Sequence, residues 1–149
     1  MRRSIGMLFF AAAVLAAVSA QLGGGGFWLV LGNPAASEEA KAMHAVLTIK
    51  SAGCHEPEKA QITGRAIGVA GGRRQIVELK LMPMSTPGMY ALTRQWPAEG
   101  KWVVVLTGKS GELYTSAIAV AGPDGVDRSG AKLAMGKPDP KQTDELLVQ

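Results

Sequence analysis

The chain has 149 residues, 47% hydrophobic and 19% charged, with a formal net charge of +4. That length suffices for one domain with a real core. A single cysteine excludes an internal disulfide, and basic residues that are scattered rather than clustered exclude a nucleic-acid surface.

Residues 1–20, MRRSIGMLFFAAAVLAAVSA, have the anatomy of a secretory signal peptide. Arg2 and Arg3 precede an apolar run from Ile5 to Val18, and Val18-Ser19-Ala20 offers the small side chains that a signal peptidase needs for cleavage before Gln21. Removing the two arginines leaves 14 Lys and Arg against 12 Asp and Glu, a net charge of +2. The rival reading is an uncleaved anchor: Phe27 to Leu31 follows the glycines 23–26, and Ile5 through Leu31 exceeds the roughly 20 residues that cross a bilayer. Either way the remaining chain is expected outside the cytoplasm, periplasmic or secreted, with membrane contact only if the leader is retained.

Residues 21–41 read as a flexible Gly, Pro and Ala-rich connector, in which Ser37 to Lys41 could form one helical turn. From 42 to 122 apolar alternation is broken by glycine and proline at a spacing of about ten residues, the pattern of an antiparallel β-sandwich. In the first predicted strand, 42–50, Met43, Ala45, Leu47 and Ile49 share a face. In the second, 60–69, Gln61, Thr63 and Arg65 share their parity with Ile67 and Val69, and this clash beside Gly64 and Gly68 predicts a bulge. Gly71-Gly72 marks a tight hairpin into 73–82, where Val77, Leu79 and Leu81 face inward. The strand 89–96 carries Tyr90, Leu92 and Trp96. Lys101 to Thr107 is apolar on both faces and reads as a central strand covered on both sides, and Gly108 to Gly111 turns the chain into 112–121. Residues 123–149, with Pro123-Asp124-Gly125 and Pro138-Asp139-Pro140, lack an apolar period and read as a disordered tail.

The segment carrying Pro87-Gly88, Tyr90, Trp96-Pro97, Gly100 and Trp102 resembles the late-strand signature of extracytoplasmic YtkA-like and FixH-like immunoglobulin-like domains. The resemblance covers roughly residues 42–121. It implies an all-β, immunoglobulin-like sandwich of about six to seven strands and an accessory role in the cell envelope, in some relatives with membrane tethering or metal and respiratory-complex assembly. Carboxypeptidase regulatory-like domains have a similar strand pattern. The two tryptophans and Tyr90 are expected to be core anchors.

Chemistry-bearing residues are few. His44, Cys54 and His55 form the candidate metal set, a thiolate and two imidazoles that suit a soft copper-type ion, with Met43 nearby. The alternative is that Cys54 packs as a small hydrophobe with His55 exposed. Met82, Met84 and Met89 lie near one loop without a Met-x-x-Met array. No Asp occurs between Gln21 and Gly122, so a Ser-His-Asp triad inside this block is impossible, and no Gly-x-Ser-x-Gly or His-Glu-x-x-His motif occurs. Gly108-Lys109-Ser110 imitates the end of a phosphate-binding loop, but Val103 stands where that loop's first glycine belongs. The expectation is a non-enzymatic binding or accessory module without a catalytic residue or required cofactor, whose partner is an envelope protein or surface component. Copper binding or chaperoning is the alternative.

Overall fold

In a computed structural model the described residues are 26–53 and 56–149. They form an immunoglobulin-like antiparallel β-sandwich. The smaller sheet orders its strands β1 (Phe27–Gly32), β2 (Leu47–Gly53), β6 (Met89–Leu92), β5 (Met82–Pro83). The larger orders β10 (Lys132–Met135), β8 (Leu113–Gly122), β7 (Lys101–Ser110), β3 (Gln61–Ala70), β4 (Arg73–Leu79), with β9 (Gly125–Val126) pairing the far end of β8. Two short helices, α1 (Glu38–Ala42) and α2 (Pro140–Val148), complete the fold, and no helix among the described residues is long and apolar enough to cross a membrane.

The core lies between the sheets. Leu29, Leu47, Ile49 and Leu92 from the smaller sheet meet Ala66, Trp102, Val104, Leu106, Ala117 and Ala121 from the larger, with Trp96 at one end. Each tryptophan satisfies its indole N–H while burying its rings: Trp102 donates to the Glu99 carbonyl at 2.8 Å, and Trp96 to that of Gly122 at 3.0 Å.

Four expectations change. The predicted connector is largely folded: Phe27–Gly32 pairs with β2 along its whole length, and Phe27 and Leu29 pack inward near Gly108. The apolar stretch that could have extended a membrane anchor to Leu31 is therefore an edge strand, while residues 1–20, the proposed signal peptide, lie outside the described residues. Ser37 caps α1 by accepting from the Ala40 N–H, with Glu38 and Glu39 in the first turn, so residues 38–42 are helical and β2 starts at Leu47 instead of 42.

The third change concerns β3, which runs through all ten residues in continuous register with β4 and β7 and has no bulge. Gly64 and Gly68 instead admit large neighbours: a Cβ at Gly68 would overlap the Trp102 indole, and one at Gly64 would lie 2.9 Å from Leu106 Cδ2. The parity clash has another cause, which is the fourth change. The segment after Gly122 is ordered, forming β9, β10 and α2, and α2 lies on the outer face of the larger sheet. There Leu146 and Leu147 cover Ile67, Val103, Val105, Ile118 and Val120. Ile67 thus shares the outer face with Arg65 because part of that face is under a helix. Arg74–Asp144 at 2.8 Å and Lys132–Glu145 at 3.8 Å tie α2 to β4 and β10, both as exposed pairs that contribute little singly.

Candidate functional site

The helix covers only one end of that outer face. Beyond it the alternation of β3 and β7 presents polar side chains in rows set by register: Arg65 opposite Val105, then Thr63 opposite Thr107, then Gln61 opposite Lys109. Tyr114 and Ser116 continue the last two rows on β8, opposite Lys109 and Thr107, and Glu78 continues the first on β4, opposite Arg65. Within this array lies an open groove of about 470 Å³ lined by Thr63, Arg65, Glu78, Thr107, Tyr114 and Lys137, a size that accommodates a small-molecule ligand. A smaller cleft between Lys59, Gln61, Lys109 and Ser110 continues the surface past Lys109.

The chain after β10 builds the groove's wall. The Gly136 N–H donates to the Tyr114 carbonyl at 2.8 Å, extending the ladder by one bond, and Gly136 then turns with φ of 93°. That left-handed conformation suits glycine. It sends Lys137 and Pro138 back across the sheet before Asp139 caps α2 by accepting from the Lys141 N–H at 2.9 Å. Lys137 Nζ lies 4.8 Å and Lys109 Nζ 5.7 Å from the Tyr114 ring centroid, within cation–π range. The ring therefore positions two ammonium groups from different elements on one side of the sheet.

Of the sequence-predicted set, only His44 falls among the described residues. His44 is an exposed residue with φ of 57°, just before β2. Gly53 ends the same strand, and the six steps from Leu47 to Gly53 at about 3.3 Å each span roughly 20 Å. Cys54 and His55 follow Gly53 and lie outside the described residues. Among the described residues no group of three or more His, Cys, Asp or Glu side chains is placed to hold a metal ion. Met43, Met84 and Met89 pack with Ala40, Ala45 and Ala91 in a small apolar cluster under α1. Their gathering follows from packing α1 against β6 and its hairpin.

Two carboxylates, Glu39 on α1 and Asp127 in the turn after β9, hold their surroundings through hydrogen bonds. Glu39 accepts from the Ser85 hydroxyl and from the Ser85 N–H, both at 2.7 Å, and these bonds hold its pKa below the ordinary value. Asp127 accepts from the Ser129 hydroxyl at 2.7 Å, from the Gly130 N–H at 3.2 Å and from the Ser129 N–H at 3.1 Å, which lowers its pKa in the same way. Glu39 thereby ties α1 to the turn at Ser85, and the exposed Asp127 fixes its own turn.

Sequence reasoning missed the groove because its residues are scattered over five elements and carry no motif. One signal was available: on the parity that carries Ile67, Val103 and Val105, β3 is polar at Gln61, Thr63 and Arg65, and β7 turns polar at Thr107 and Lys109. No protein family, curated protein or solved structure matches this chain.

Proposed function

We propose that this chain is a non-enzymatic, extracytoplasmic binding module that engages an envelope component through the polar groove on its larger sheet. The observation that carries the reading is the groove itself, where hydroxyls, a tyrosine and cations from β3, β7, β8 and the segment after β10 converge on one open surface. Such a surface offers many hydrogen bonds and favourable charge without a nucleophile paired to a base, which suits recognition better than bond cleavage. The leader-like residues 1–20 support an address outside the cytoplasm. The Pro87-Gly88, Tyr90, Trp96-Pro97, Gly100, Trp102 pattern, which resembles that of YtkA-like and FixH-like domains, supports an accessory role.

The test is co-sedimentation of the secreted protein with isolated envelope material, comparing the native chain, a groove variant and a variant of the opposite sheet. Thr107→Arg with Lys137→Glu obstructs the groove and reverses one of its charges, whereas Trp28→Ala alters the exposed outer face of β1. Retention is expected to fall at least tenfold in the groove variant and to persist in Trp28→Ala. Equal retention by all three proteins contradicts the reading.

A further inference from the structure

We infer that the groove takes an acidic saccharide chain, recognised through its carboxylates together with its hydroxyls; this rests on the binding-module reading above. Charge comes first. Arg65, Lys109 and Lys137 face the groove and its continuation against a single carboxylate, Glu78, while the fourth cation, Lys59, is engaged by Glu56 at 2.7 Å. Three cations against one anion create a positive surface potential that concentrates anionic ligands and fades as salt rises.

Shape and chemistry then narrow the anion. The rows from Arg65 to Gln61 extend along four residue steps of β3, roughly 13 Å, and the cleft at Lys59 and Ser110 prolongs them. This is an open track rather than an enclosed cup for a single phosphate. Between the cations lie Thr63, Thr107 and Gln61, uncharged groups that donate and accept hydrogen bonds, as the alternating hydroxyls of a sugar require. Apolar lining is confined to Val105, Gly64, Pro138 and the Tyr114 ring, too little for a lipid or a hydrophobic peptide. A chain that carries one carboxylate every residue or two, with hydroxyls between, meets each of these groups in turn.

Glu78 supplies a sharp test, since it stands opposite Arg65 in the ladder and opposes any acidic ligand there. Binding of the full chain to polygalacturonate, alginate and hyaluronate would be measured by affinity electrophoresis, with methyl-esterified polygalacturonate, dextran and polyphosphate as comparisons. At least one acidic polysaccharide is expected to retard the native protein, with retardation lost on methyl esterification and absent with dextran. Arg65→Gln with Lys137→Gln is expected to weaken binding at least tenfold, whereas Glu78→Gln strengthens it several-fold, a gain that misfolding cannot imitate. Absence of binding to all three acidic polysaccharides, equal retardation by polyphosphate, or no gain from Glu78→Gln would overturn the inference. Co-sedimentation with envelope material that is lost in the groove variant while all three polysaccharides fail would sink the ligand class and leave the binding module standing; failure of both would remove both.

Discussion

Gly68 and Gly122 are both strand glycines, yet they occupy opposite environments. A side chain at Gly68 collides with the buried Trp102 indole, whereas nothing lies within 4 Å of a Cβ at Gly122, whose φ suits any residue. Gly68→Ala is expected to destabilise the fold by about 1–3 kcal/mol, the usual cost of overpacking, and Gly122→Ala to leave stability within about 0.5 kcal/mol. Thermal or urea denaturation of the two variants compares them directly. Glu39 offers a second test at this scale. Its folded-state pKa lies below the unfolded value because Ser85 hydrogen-bonds the charged form. Its contribution is therefore present above the ordinary carboxylate range and lost as pH falls through the folded value. Glu39→Gln is expected to lower stability at neutral pH and to flatten the acid limb of a plot of Tm against pH; an unchanged limb would show that the Ser85 bonds do not persist in solution.

Helix α2 accounts for much of what the sequence did and did not reveal. The strands were legible wherever period-two alternation met a single buried face, as in β4 with Val77 and Leu79 inward, or where both faces were apolar, as in β7. Even the covering of β7 on both sides followed from Val103 and Val105. The covering element did not, because nine residues from Pro140 to Val148 bury only Thr143 and Leu146 completely, too short a pattern to stand out from turns. β1 was hidden for the opposite reason: its apolar residues follow the apolar run of residues 5–18 across a short glycine-rich stretch, so strand and anchor look alike until pairing with β2 separates them. At the candidate site the individual residue types were visible, but their convergence depends on register and on the turn at Gly136. Because Leu146 closes the apolar patch over Ile67, Val103, Val105 and Ile118, Leu146→Ala is expected to cost about 2–5 kcal/mol. Ending the chain after Pro138 should in turn expose that patch to an apolar dye such as ANS. If the shortened chain melts at the native temperature without binding dye, α2 does not cover the sheet in solution.

Across the whole molecule the two outer faces of the sandwich divide their tasks. The smaller sheet receives α1 and the methionine cluster at one end and leaves Trp28 and Val30 exposed on β1. The larger sheet is split between an apolar half under α2 and a polar half that stays open as the groove. This division makes the segment after Gly122 part of the groove: the same stretch that supplies Lys137 continues into the helix that hides the rest of the sheet. Residue-resolved amide chemical-shift mapping during titration with oligosaccharides of whichever acidic polysaccharide retards the protein tests the groove most directly. The account predicts dose-dependent shifts concentrated at Thr63, Arg65, Thr107, Lys109, Tyr114 and Lys137. Shifts centred instead on Trp28 and Val30 of β1, or none at any residue, would contradict it.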